Sequence, residues 1–138
     1  MDRVIEFALS HMALVGSFFG LLAAFLFLES RRGGAAVSSQ QLTNLVNSQG
    51  AMVLDVRDRK EFALGHITES NNIPFAKLEE RISELNSHKE SPIVLVCKMG
   101  QHSGAAGKIL TKNGFKDVRR LTGGIATWSA DSLPLVKG

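Results

Sequence analysis

The sequence predicts an α/β fold: a mostly parallel sheet flanked by helices on both faces, preceded by one transmembrane helix. Three patterns carry that expectation. Short β-type runs, MVLDV at 52–56, IVLV at 93–96 and VRRL at 118–121, alternate with stretches of helical periodicity, and strands separated by helices assemble into parallel sheets covered on both sides. IVLV is apolar throughout, as a strand buried on both faces must be. Phe7 to Leu28, FALSHMALVGSFFGLLAAFLFL, carries no formal charge.

At 1.5 Å per residue that uncharged run makes roughly 33 Å of helix, enough to cross a hydrocarbon core of about 30 Å. A signal peptide has a shorter apolar stretch of about 7–15 residues and a small-residue cleavage site, whereas here Glu29, Arg31 and Arg32 follow at once. Residues 1–29 therefore read as an anchor helix in membrane lipid. Basic residues collect on the cytoplasmic side of a span. Arg31 and Arg32 stand after this one and only Arg3 before it, which favours a cytoplasmic C-terminal domain. SRRGGAA at 30–36 reads as a short flexible linker, and 37–138 as the folded domain. Within the span, Gly16, Gly20 and Ala24 recur at four-residue intervals, a small-residue face that lets another helix come close. An integral membrane protein is the partner such a face would suit.

Beyond the linker, Ser38 or Ser39 caps a helix running to about Asn47, with Leu42, Leu45 and Val46 on one side. MVLDV is a strand ending near a carboxylate, Lys60 to Leu64 forms one helical turn, and Asn72-Ile73-Pro74 is extended chain stopped by proline. LEERISEL, 78–85, places Leu78, Ile82 and Leu85 on one helical face. After IVLV, Ser103 to Asn113 is helical with Gly114 as its stop. Val118 to Leu121 forms another strand, and Ile125 to Trp128 a final short helix.

The 138 residues carry a net charge of +3. Asp2, Arg3, Glu6, Glu29, Arg31 and Arg32 cancel, so the excess belongs to the domain. From 91 onward Lys98, Lys108, Lys112, Lys116, Arg119, Arg120 and Lys137 meet only Asp117 and Asp131, an imbalance around the thiol that attracts small anions. No basic stripe interleaved with aromatics suggests nucleic acid. No His/Asp/Glu spacing suggests a metal, and no glycine motif suggests a nucleotide or other cofactor. Cys97 is the single cysteine, so no disulfide framework requires an oxidising compartment.

Cys97 stands where IVLV stops, and ligands of such sheets gather at the carboxyl ends of strands. Lys98-Met99-Gly100-Gln101-His102 then leads into the helix that begins at Ser103. Gly100 tolerates unusual φ/ψ, so the loop can curl with successive N–H groups inward. Those groups and the helix N-terminus favour negative charge at the centre, which holds a thiol toward its nucleophilic thiolate form. The phosphatase pattern C-x5-R does not fit, because Ser103 stands where its arginine belongs.

LDVRDRKEFALGHITESNNIP (54–74) resembles the first signature of the rhodanese homology domain. VLVCKMGQHSGAAGKILTKNGFKDVRRLTGGIATW (94–128) resembles its active-site loop, following helix and closing Gly-Gly…Trp. The resemblance covers about 37–136, and one anchor helix with one such domain is similar to small membrane-anchored rhodaneses of bacteria, which implies the inner membrane. It further implies a sulfurtransferase. Cys97 takes sulfur from thiosulfate or another small anionic or persulfide donor, holds it as a persulfide, and yields it to a thiol in ping-pong fashion. With no second cysteine in the chain, the acceptor thiol must come from outside. Asp55 and Arg57, close to a strand end, are expected to form an ion pair supporting the catalytic loop or to define the pocket rim, while the resemblance makes His66 a structural turn residue.

Many rhodaneses carry C-R-x-G-x-R-S, where this chain has Lys98 and His102 in place of the arginines. Lysine keeps the charge but loses the planar fork that grips an oxyanion in two places, and a histidine's charge is conditional near neutral pH. These departures keep a second class open: a membrane-tethered scaffold that uses the fold as an interaction module in an inner-membrane complex, with little catalysis.

Overall fold

A computed structural model describes residues 2–31 and 34–138, with the side chains of 29–31 left out. These residues fall into two compact units, divided between 31 and 34.

The N-terminal unit holds helices α1 (Asp2–Ser10) and α2 (Met12–Arg31). The unbroken helix expected through residues 7–28 is corrected here, because the chain bends by 78° between α1 and residues 12–28. The Phe7 carbonyl explains the break. Beside its ordinary helical bond from the His11 N–H at 3.1 Å, it accepts from Ser10 Oγ at 3.0 Å, and His11 Nδ1 lies 3.0 Å from it. Side chains that bond a carbonyl one turn back compete with the backbone ladder and bend helices. Among the described residues no single helix is long and apolar enough to cross a membrane, and α1 with residues 12–28 qualifies only as a bent pair. Gly16 and Gly20 have open space where a Cβ would stand. Arg32, one of the two bases used for orientation, lies outside the described residues, as does the side chain of Arg31.

The second unit is built on five parallel strands: β1 (Ala35–Val37), β2 (Met52–Asp55), β3 (Asn71–Asn72), β4 (Ile93–Val96) and β5 (Val118–Leu121). Their order is β1-β5-β4-β2-β3, and every pairing is parallel. The central strand β4 is fully buried along its length, which is why IVLV has no polar position. Side chains alternate across the sheet. Leu54, Ile93 and Leu95 face a layer formed by Leu78, Leu85 and helix α6 (Ser103–Lys112), with Ala106 and Leu110 inward. Val53, Val94 and Val96 face helix α3 (Ser39–Gln49), with Leu42 and Leu45, and helix α7 (Gly124–Ala130), with Ile125 and Trp128. Burying each such aliphatic side chain contributes about 1.5–3 kcal/mol. The expected α/β architecture holds.

Two local expectations are corrected. Residues 30–36 read as a flexible linker, yet Ala35 and Ala36 pair with Arg119 and Arg120 in β1; Gly33, also in that stretch, is not among the described residues. Strand β1 forms only because β5 offers it an edge, and nothing in its own sequence announces it. LEERISEL is not one α-helix either: α5 (Leu78–Arg81) gives way to a 3-10 helix at Ile82–His88. In a 3-10 helix residues three apart eclipse, which lets Ile82 and Leu85 both pack on the sheet. Ser38 caps α3 in a reciprocal pair with Gln41, its N–H reaching Oε1 at 2.9 Å.

Candidate active site

Strands β2 and β4 end side by side, and the chain leaving each builds one wall of a cavity of about 330 Å³. From the β4 side come Cys97, Lys98, Gln101 and His102. From the β2 side come Arg57, Asp58 and Glu61, the last on helix α4 (Arg59–Leu64), while Phe75 closes a third edge. Cys97 is only 2 % exposed, yet its side chain lines this cavity.

The loop after Cys97 is shaped by local chemistry. Gly100 sits at φ +93°, a region that L side chains rarely adopt, and its N–H donates to Cys97 Sγ at 2.8 Å. Ser103 Oγ donates to the Gly100 carbonyl at 3.1 Å, tying the loop to the start of α6. The loop's outer side is held by α7. The N–H groups of Ile125 and Ala126 donate to the carbonyls of Cys97 and Lys98 at 2.8 and 3.0 Å. Gly124, with φ +61°, lets α7 come this close, since a Cβ there would strike the Cys97 carbonyl oxygen. The Gln101 side chain folds back over the loop, its Oε1 accepting from the Met99 N–H at 2.9 Å.

Asp55 and Arg57 are both buried and make a bidentate ion pair, with Arg57 Nε reaching each carboxylate oxygen at 3.0 Å. Arg57 Nη2 also donates to the Gly65 carbonyl at 2.7 Å. The pair thus holds the α4 segment against the end of β2, and of its two members only Arg57 presents a surface to the cavity. His66 lies on another wall of the domain, stacked on Phe62 at 3.7 Å between ring centres, with Nδ1 2.8 Å from the Phe62 carbonyl.

Of the loop residues singled out from sequence, Met99 points out of the cavity. It is 65 % exposed and lines a neighbouring apolar groove of about 440 Å³ with Leu64, Ile125 and Leu135. Gly100 and Ser103 shape the loop from behind. The expected gathering of positive charge around the thiol is corrected. Of the seven bases from 91 onward, Lys98 alone lines the cavity, with Glu61 Oε1 4.0 Å from its Nζ. Arg119 instead pairs with Asp117, which raises its pKa by hydrogen bonding, and Lys116 pairs with Glu90 at 3.0 Å. Arg57 is neutralised by Asp55, while Asp58 and Glu61 bring negative charge. Sequence reasoning missed Phe75 and Glu61 as members of the site. Phe75 follows Pro74 at the end of the extended Asn72-Ile73 run, where a sheet of this kind gathers its ligands, and that was the available signal.

A parallel α/β domain with a cysteine loop at the end of its central strand, closed by a glycine-started helix, defines a sulfurtransferase-like class. The chain belongs to the rhodanese-like domain family, whose pattern it matches over residues 38–131. It is 32 % identical to the uncharacterised protein YibN of Escherichia coli K12 over 142 aligned residues, covering 100 % of this chain and 99 % of that one. It is 36 % identical over 94 residues to the thiosulfate sulfurtransferase GlpE of Ectopseudomonas mendocina, covering 68 % of this chain and 84 % of GlpE. Among solved structures, a rhodanese-related protein from Thermoplasma volcanium superposes with a TM-score of 0.68 at 28 % identity, over 75 % of this chain and 99 % of that one.

Proposed function

We propose that the chain is a membrane-anchored sulfurtransferase that moves a sulfane sulfur from thiosulfate or a persulfide donor to a thiol through a Cys97 persulfide. The observation that carries this reading is the 2.8 Å bond from the Gly100 N–H to Cys97 Sγ on the wall of an open cavity. A backbone amide aimed at sulfur favours its anionic forms, thiolate and persulfide alike. In the first half-reaction the Cys97 thiolate attacks the outer sulfur of thiosulfate; a new S–S bond forms, the old one breaks, and sulfite leaves with its electron pair. In the second, an acceptor thiolate attacks the outer sulfur of the persulfide and Cys97 departs as thiolate. The acceptor is supplied from outside, since Cys97 is the only cysteine.

The anchor half of the proposal rests on the uncharged run 7–28, on the exposed apolar side chains of α1 and α2, and on a similarity to YibN that extends through the N-terminal segment. With the break at His11, the anchor is the bent pair of α1 and residues 12–28, in the inner membrane, with the domain on the cytoplasmic side.

Mass spectrometry after thiosulfate treatment tests the chemistry: the protein gains one sulfur, and Cys97→Ala does not. A protein that stays in alkali-washed membranes yet takes up no sulfur from thiosulfate or an organic persulfide would favour the tethered scaffold instead. An impermeant maleimide on intact cells tests topology, and labelling of Cys97 from outside overturns the cytoplasmic placement.

A further inference from the structure

Two donors converge on the amide oxygen of Gln101. The Met99 N–H reaches Oε1 at 2.9 Å, and the Cys97 thiol points toward the same atom at 3.8 Å. Cys97 Sγ also accepts from the Gly100 N–H at 2.8 Å. A thiol can make both contacts at once, whereas a thiolate can only accept. An amide oxygen stabilises an S–H and repels S⁻, so the Gln101 contact pulls against the Gly100 contact.

We propose that the Gln101 side chain is a removable plug of the loop: it holds the Met99 N–H while Cys97 is a thiol and swings out so that this N–H can serve the transferred sulfur. The inference rests on the sulfurtransfer reading above. Steric and electrostatic arguments agree. A sulfur bonded to Sγ stands about 2.05 Å from it. Placed toward an oxygen only 3.8 Å away, it would sit far inside van der Waals contact with Oε1. The plug and a second sulfur on that side exclude one another. Once the amide leaves, the Met99 N–H is free to donate, and an anionic persulfide gains a second backbone donor beside Gly100. Gln101 is exposed, so its long unbranched side chain has solvent to rotate into.

Lys98, His102, Arg57, Asp58 and Glu61 line the same cavity and act on the sulfur in every variant. The test therefore varies position 101 alone, in two opposite directions, in the full-length protein. Gln101→Ala removes the oxygen. Gln101→Glu keeps an acceptor within reach of Met99 but makes it an anion. The first readout is the rate of Cys97 alkylation by iodoacetamide across pH. The alanine variant is expected to react about threefold to tenfold faster than the parent at neutral pH, as for the loss of one hydrogen bond, with its profile displaced to lower pH. The glutamate variant is displaced to higher pH. The second readout is exchange of the Met99 amide proton, slowed in the parent thiol and fast in the alanine variant. Three coincident alkylation profiles, or a Met99 amide equally protected with and without the Gln101 side chain, overturn the plug. Neither readout needs a sulfur donor, so a parent that takes up no sulfur defeats the sulfurtransfer reading while the plug is still judged on the thiol.

Discussion

Replacing Gly124 by alanine separates the cost of a backbone conformation from the cost of a contact. Gly124 has φ +61° and Gly50 has φ +62°, so alanine pays for the left-handed region at both, about 1–2 kcal/mol each. Their surroundings differ. Gly50 has nothing within 4 Å of an added methyl, whereas at Gly124 the methyl would overlap the Cys97 carbonyl oxygen and press on the Lys98 carbonyl at 2.9 Å. To relieve that overlap α7 must retreat, weakening the Ile125 to Cys97 and Ala126 to Lys98 hydrogen bonds, each worth about 1 kcal/mol. The expected losses are therefore about 1–2 kcal/mol for Gly50→Ala and about 3–4 kcal/mol for Gly124→Ala. Urea unfolding followed by circular dichroism measures both. Sulfur loading should fall sharply in Gly124→Ala even where the domain stays folded, because its bonds set the position of the Cys97 loop, and remain unchanged in Gly50→Ala. Equal destabilisation of the two variants would refute the argument that contact with the loop, rather than φ, makes Gly124 necessary.

Arg57→Ala should destabilise the domain by about 3–5 kcal/mol, since it strands the buried Asp55 carboxylate; Asp55→Asn combined with Arg57→Met should restore much of that in the same unfolding assay. Glu61→Gln frees Lys98 from its neighbour and is expected to lower the KM for thiosulfate about twofold to fivefold with little change in thermal midpoint, as for an exposed pair, while Lys98→Ala raises that KM. A hydrogen bond from Arg81 holds the Glu84 carboxyl below the usual carboxylate range. A depressed acid contributes stability above its unfolded pKa and loses it as pH falls through the folded one. The small midpoint difference between the parent and Glu84→Gln should accordingly be present at neutral pH and vanish in acid, and a difference that grows on acidification contradicts the assignment.

Much of the domain was legible because its signals are local. An apolar tetrapeptide between turns must be a doubly covered strand, and a cysteine directly after it must sit at the sheet's carboxyl edge. Gly100 marked a loop position tolerant of unusual φ/ψ and took up a positive φ, as did Gly123 and Gly124 of the closing Gly-Gly…Trp, where α7 begins. Helix α3 likewise followed from its serine cap and apolar periodicity, and the end of α6 from the glycine stop at Gly114.

What the residues decided by themselves was therefore the order and type of most elements, the family, and the position of the thiol, because hydrophobic period and turn chemistry act within a few residues. The tertiary structure alone decided which partners those elements found. Ala35 and Ala36 became a strand because β5 had an open edge. Lys98 met Glu61 across the cavity while the other nearby bases went elsewhere, so the sequence's basic excess never assembled around the sulfur. The Phe7 carbonyl took side-chain donors and broke the expected span, and Gln101, rather than a free amide, occupied the Met99 N–H. Each is a choice among competing acceptors or charges whose outcome depends on distances that spacing along the chain does not encode.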